Sequence, residues 1–374
     1  MIYFRTGSQA HRLVTLLSVV GEFPSHSLHL LGNERVYKAL VRKLTTVQTI
    51  RNPQTETEMT CRLLTISGKG SAKSIRLYKA ALPILTWICP EAYAYYMRAF
   101  RNHNFPGDMS HWERNHRVAE AAAMCMRAGL EFRPYILPKL QNESIMKIVP
   151  DEPVFYLARA LKQIGQTEMK KTMFTRLTGV IFNNKSCYAV YNTRNAVMKW
   201  SGMGEFKTLH SIIEAGRLNA AVTAADSAIL FGESDRIALE TLLASDKTKR
   251  FEFRFDSIYR HVYYVPMNDA GIAQLKILSV PDWNRKLLEL LFDAEDLSNN
   301  AGLFEYDAYV NGVYILSHLD GDIARLIRFK QALAAQQVTS EILCFPHQTH
   351  FVREYMGNVV RCKEIKLDSV LSEL

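Results

Sequence analysis

The 374-residue chain contains no C-x-x-C pair, and its six cysteines, Cys61, Cys89, Cys125, Cys187, Cys344 and Cys362, lie far apart. That excludes a disulfide framework and a zinc ribbon, and leaves reduced thiols. Long apolar runs are also missing. The most apolar stretch, residues 80–87, is broken by Pro83 and stops at Pro90, well short of the roughly 20 residues a spanning helix needs. Arg5, Gly7 and His11 fall where a signal peptide would have its apolar core. No Gly-rich phosphate loop is present, which disfavours an ATPase or GTPase, and no repeat of fixed period occurs. These absences lead to the expectation of a soluble cytoplasmic protein with no membrane contact and no cofactor.

Acidic residues are scarcest at one end. Residues 1–79 hold twelve of the 46 Lys and Arg but only four of the 37 Asp and Glu, a net +8, while the other 295 residues carry 34 bases against 33 acids. Nearly all of the formal charge of +9 therefore belongs to one N-terminal module. Concentrated basicity suits a polyanion, because each phosphate neutralised releases a condensed counterion. At 48% hydrophobic residues, the chain has enough apolar material for two or three folded domains.

Periodicity orders the elements of the basic module. Ser8 can cap a helix with Leu13, Leu16, Leu17 and Val20 on one face, closed by Gly21. A shorter helix follows Pro24 and stops at Gly32. Asn33 caps a third, in which Val36, Leu40 and Leu44 form the apolar row and Arg35, Lys38 and Arg42 a basic one. Two strands follow, residues 47–51 and 57–64, joined by an Asn52-Pro53-Gln54 turn. Three helices and then a hairpin is the order of a winged helix-turn-helix, whose third helix enters the major groove. A basic helix face is ordinarily just solvated. Here acids are nearly absent around it, a wing candidate follows, and Lys69, Lys73, Arg76 and Lys79 continue the charge. With no RRM signature or KH-type loop, double-stranded DNA is the expected partner ahead of RNA.

The run from His11 to Gly70, with its Leu-rich first helix, the Arg35–Leu44 helix, the hairpin and then Leu64-Thr65-Ile66-Ser67-Gly68, resembles the N-terminal part of the replication-relaxation proteins of plasmids and integrative elements. The wing in that family commonly ends in Leu-Thr followed by a Gly, which Leu64, Thr65 and Gly68 match, and the helix from His116 is also similar. The resemblance covers about the first third of the chain. It implies a winged helix joined to an α/β region and a DNA-associated role in replication, relaxation or transfer of a mobile element. It implies no catalytic residue.

Residues 80–150 read as a helical connector. Tyr93, Tyr95 and Tyr96 recur at helical spacing; a relaxase would need clustered histidines beside such tyrosines, and packing explains them better. Ser110-His111-Trp112-Glu113 opens a helix to Ala128 whose alanines permit close approach of another helix. From 151 onward, strands and helices alternate: a helix at 153–164, strands at 174–182, 186–192 and 196–200, a helix at 205–216, a strand at 227–231, a helix at 234–244, a strand at 261–265 and a helix from Asn268. A hairpin turning at Asn311-Gly312, a helix at 320–336, a strand at 341–345 and a helix at 348–356 complete the series. The expected fold class is thus α+β or mixed α/β, with domains at 1–79, 80–150 and 151–374.

Two sharper chemistries compete with DNA binding. A metal-dependent nuclease of the restriction-endonuclease-like type needs acids around a divalent ion and a lysine near the attacking water. Glu205 and Lys207, with Asp307, are the residues that could serve, but the strand at 186–192 has no acid, so surface pairing or a degenerate, non-catalytic relative is favoured. Cys344, His347 and His350 could hold zinc, although their spacing departs from structural zinc sites. The reading adopted is a non-enzymatic DNA-binding accessory or regulatory protein. Arg35, Lys38, Arg42, Lys43, Arg51, Arg62 and Lys69 form its DNA surface, a homodimer is its assembly, and the C-terminal region is available to a protein partner.

Overall fold

The chain folds as two units, Met1–Leu137 and Pro138–Leu374, in a computed structural model that describes residues 2–52, 54–105, 109–132, 149–161, 176–183, 186–198, 200, 203–220, 222–247, 254–298, 304–336 and 338–374. The class is α+β, with several small sheets. Among the described residues no helix is long and apolar enough to cross a membrane.

In the first unit, β1 (Ile2–Tyr3) precedes α1 (Gln9–Val20), which begins where Ser8 Oγ accepts the His11 N–H at 3.2 Å and buries Leu13, Leu16, Leu17 and Val20. β2 (Glu22–Pro24) leads into a 3-10 segment, Ser25–Leu31, ended by Gly32. Asn33 Oδ1 accepts from Val36 N and starts α2 (Glu34–Leu44). Here the apolar row differs from the one read in sequence. Tyr37, Val41 and Leu44 are buried, whereas Val36 is 41% exposed. Tyr37 has more apolar surface to hide, and its ring packs against Gly32, which turns the buried stripe one residue onward.

β3 (Gln48–Arg51) and β4 (Glu58–Cys61) form the expected hairpin, with β1 parallel to β3. The strand expected over 57–64 is broken, however. Leu63 and Leu64 are both fully buried, and successive residues of one strand face opposite ways. The chain turns there, Leu63 N donating to Leu44 O at 3.0 Å and Tyr78 N to Leu63 O at 2.9 Å. β5 (Leu64–Ser67) then pairs with β6 (Ser74–Leu77) in a second hairpin, and β2 joins β6 from the other side, giving the order β2-β6-β5. A 3-10 segment (Lys79–Ile84), α3 (Leu85–Ile88), α4 (Pro90–Ala99) and α5 (Met109–Ala128) follow within this unit. Tyr95 and Tyr96 are core residues, as are the α5 alanines 119, 121, 122, 123 and 128.

The second unit holds a five-stranded sheet, β11-β10-β9-β8-β7. Val154–Leu157 is β7, followed by the short helix α6 (Ala158–Leu161). The helix expected at 153–164 therefore starts as a strand: Val154, Phe155 and Tyr156 suit a pleated surface and pair with β8 (Leu177–Asn183). β9 (Ser186–Arg194) is antiparallel to β8, α7 (Met203–Ala220) crosses over, and β10 (Ala224–Gly232) lies parallel to β9. The strand expected at 196–200 is absent among the described residues; Trp200 instead packs edge-on against Tyr191 and Tyr259. α8 (Asp235–Asp246), α9 (Phe255–Ile258), β11 (His261–Pro266) parallel to β10, α10 (Asp269–Ser279) and α11 (Trp283–Leu291) come next.

The remainder forms a four-stranded sheet, β12-β13-β14-β15. β12 (Ala308–Val310) and β13 (Val313–Ser317) turn at Asn311 and Gly312 with φ of 50° and 83°, the left-handed pair an Asn-Gly hairpin requires. α12 (Ile323–Ala335), β14 (Ser340–Cys344), α13 (Thr349–Met356), β15 (Arg361–Glu364) and α14 (Leu367–Glu373) complete two parallel crossovers.

Candidate nucleic-acid interface

Four carboxylates lie within residues 1–79, and each is engaged. Glu22, buried at 2% exposure, binds Arg76 through one oxygen, with Nε at 3.0 Å and Nη2 at 2.7 Å. Glu34 pairs with Lys38 one turn on at 2.6 Å, and that hydrogen bond holds its carboxyl below the usual carboxylate range. Glu56 and Glu58 both reach Arg51, at 3.0 and 3.9 Å. Among the described residues no carboxylate pairs with Arg5, Arg12, Arg35, Arg42, Lys43, Arg62, Lys69, Lys73 or Lys79, and all of these are exposed.

Helix α2 puts Arg35, Arg42 and Lys43 on its solvent side around the exposed Val36 and Ala39. Lys38 is on this side too, with its charge answered by Glu34. The β5–β6 connection carries Lys69 and Lys73. Gly68 permits it: φ is +84°, and a Cβ there would sit 2.2 Å from the Ala72 carbonyl oxygen. Ile66, at 42% exposure, sits on the strand leading into this loop.

The base of the loop is fixed from behind by α5. Ser74, the first residue of β6, shares a 2.6 Å hydrogen bond with His116 Nε2 and accepts from Trp112 Nε1 at 3.2 Å. One turn further, Glu120 accepts from Ser27 Oγ at 2.7 Å, and Asn115 Nδ2 donates to Glu22 Oε1 at 3.0 Å. Trp112, His116 and Glu120 are spaced by four, so one helix face supplies them. His116 and Glu120 are buried, and such partnered groups define how a surface is presented without facing it. Nothing in the linear sequence joins Ser74 to His116, although the capping box at Ser110–Glu113 and the resemblance both mark the helix that carries His116.

The other candidate residues are dispersed. Glu205 lies in the first turn of α7, buried beside Arg176 at 3.8 Å, with Lys207 exposed on the same helix. Asp307 precedes β12 and gives Oδ1 to Arg325 at 2.8 Å and Oδ2 to Ser317 N at 2.7 Å. β8 and β9 have no carboxylate. Cys344 Sγ is 3.4 Å from Thr349 Oγ1, His347 is stacked on Phe345, and His350 stands in solvent near Glu354 at 3.7 Å. Burial holds the His347 ring down to about 4. No group of three or more His, Cys, Asp or Glu able to hold a metal ion occurs among the described residues. No family model, curated protein or solved structure matches the chain.

Proposed function

We propose that the first unit binds double-stranded DNA as a winged helix, with α2 in the major groove and the Gly68–Lys73 loop as the wing along the backbone. The wing in this reading is the β5–β6 hairpin. The β3–β4 hairpin, to which sequence spacing assigned that part, is an insertion between recognition helix and wing. The observation that carries the proposal is the electrostatic division of the unit. The four acids of residues 1–79 are spent on Arg51, Arg76 and Lys38, so that Arg35, Arg42 and Lys43 on α2 and Lys69 and Lys73 on the loop keep their charge for phosphates. In keeping with the resemblance to replication-relaxation proteins, the role is accessory or regulatory in replication or transfer of a mobile element in the cytoplasm. A homodimer would place two recognition helices in successive grooves, and the second unit would serve assembly or a protein partner.

Fluorescence anisotropy of duplex DNA over a salt series tests this. The triple variant Arg35→Ala/Arg42→Ala/Lys43→Ala is expected to lose affinity and to flatten the salt slope by about 0.9 per lost phosphate contact. Equal binding by wild type and variant at every salt concentration would refute the assignment of α2.

A further inference from the structure

Two of the six cysteines are neighbours in the fold. Cys344 ends β14, and Cys362 is the second residue of β15, the outer strand beside it. The parallel register pairs Ile342 with Cys362 and Cys344 with Glu364. Both thiols therefore leave the same side of the sheet, one diagonal step apart. Helix α13 lies on that side. Thr349 Oγ1, in its first turn, is 3.4 Å from Cys344 Sγ, and Arg353, one turn later on the same helix face, reaches Cys362. Cys344 Sγ also lies 3.9 Å from the Lys363 carbonyl oxygen, one residue beyond Cys362.

The two sulfurs differ in what they can do. Cys344 is fully buried, and its interaction with the Cys362 sulfur, followed by burial, keeps it a thiol. Cys362 is only half-buried, so part of it meets solvent. The Cys344 thiol supports negative charge on it, and the Arg353 guanidinium adds both charge and N–H groups. Together they outweigh burial and Glu341 and bring Cys362 down to about 7. Arg353 pairs with no carboxylate among the described residues, its neighbour Glu354 being turned to His350, so its charge is left for the sulfur.

The thiolate is the nucleophilic form of cysteine, and a partly exposed one beside a cation and a second thiol is suited to oxidation. We propose that Cys362 is a site of reversible oxidation by small hydroperoxides, with Arg353 and Cys344 as the residues that position and charge its sulfur. The sulfur attacks the hydroxyl-bearing oxygen of the peroxide. An S–O bond forms as the O–O bond breaks, sulfur is oxidised by two electrons, and the other oxygen leaves as hydroxide or alkoxide, which takes a proton from water. The product is a sulfenic acid. An external dithiol returns it to the thiol, releasing water and becoming a disulfide itself. A shift of the four-residue strand β15 would let Cys344 act in its place, its sulfur displacing hydroxide and its proton leaving as water. The site lies in the second unit and does not depend on the DNA reading of the first.

The test treats the reduced full chain with hydrogen peroxide at neutral pH in the presence of dimedone, which captures sulfenic acids, and locates the products by peptide mass spectrometry. Cys362 is expected to appear labelled, or joined to Cys344, at least about tenfold more than Cys61 or Cys89, the other half-buried thiols. Either product supports the proposal, since both pass through oxidised Cys362. In Cys344→Ser the disulfide is lost and the label at Cys362 stays. A second readout is the pH profile of iodoacetamide alkylation at Cys362, with its midpoint expected near 7 in the wild type. Arg353→Gln keeps a hydrogen-bond donor without the charge and is expected to raise that midpoint by about one pH unit. Equal oxidation of Cys61, Cys89 and Cys362 would overturn the proposal. So would an unlabelled Cys362, a wild-type midpoint at or above about 8.5, or a midpoint that Arg353→Gln leaves in place.

Discussion

Arg42 and Arg51 carry the same guanidinium, but only one of them has its charge to offer a partner. Arg51 is held between Glu56 and Glu58, while Arg42 stands free of carboxylates among the described residues. Bringing a phosphate to Arg51 means breaking one ion pair to make another, with little counterion gain. Arg51→Ala is therefore expected to change DNA affinity less than twofold and leave the salt slope unaltered, whereas Arg42→Ala alone lowers both. Parallel salt series on the two single variants check this. A like argument applies to Asp307, which sequence spacing offered as a nuclease carboxylate. It is almost fully buried and makes the shortest of the three ion pairs of Arg325, which Glu305 and Asp320 also approach, so Asp307→Ala weakens the neutralisation of a buried cation and leaves Ser317 N without its acceptor. The expected loss is about 1–3 kcal/mol of stability by denaturant unfolding.

For the elements, the wing assignment separates two hairpins that resemble each other in sequence. Lys69→Ala/Lys73→Ala on the β5–β6 loop is expected to lower duplex affinity and the salt slope by up to about two contacts' worth. Alanine at Glu56 and Glu58 on the β3–β4 hairpin should leave binding intact or strengthen it. The same anisotropy series distinguishes the hairpins, and the opposite pattern would return the wing to β3–β4. Helix boundaries in this unit were legible because Ser8, Gly21, Gly32 and Asn33 mark them chemically. Hairpin membership was not, since strand pairing depends on distant partners: Leu63 and Leu64 become a break only because both are buried, one residue after the other. The same limit explains β7. The Val154–Leu157 segment reads as the start of a helix until β8 is there to pair with it. The basic character of α2 could be read directly, yet which bases are free depended on Glu34, Glu56 and Glu58 finding their partners. His261 and Asp322, 61 residues apart, gave no local signal at all.

Across the second unit as a whole, one polar cluster joins the two sheets. β11 meets the start of α12 through the His261–Asp322 pair, and Asp320, Asp307 and Glu305 surround Arg325. Asp320, desolvated and close to Asp322, is raised to about 7. Burial lowers His261, but Asp322 outweighs it and holds the ring above 6.5. Both groups therefore bind a proton more tightly when folded than when unfolded. Their contribution to stability is present at low pH and is lost as pH rises, through the interval from about 4 to 7 for Asp320 and above 6.5 for His261. Other groups act in the opposite sense. His318 and His347 are lowered to about 4 by burial and favour folding as pH rises toward 6.5. Cys362, lowered to about 7 beside Cys344, does so from there upward. The clean measurement is consequently the difference in Tm between wild type and variant at each pH, in which these opposing contributions cancel. Asp320→Asn keeps an acceptor for Asp322 N without titrating. Relative to wild type, it is expected to gain a few degrees between pH 5 and 8. His261→Gln should show its relative gain only above pH 6.5. A constant Tm difference across this range would mean that neither group couples protonation to the joint between the sheets.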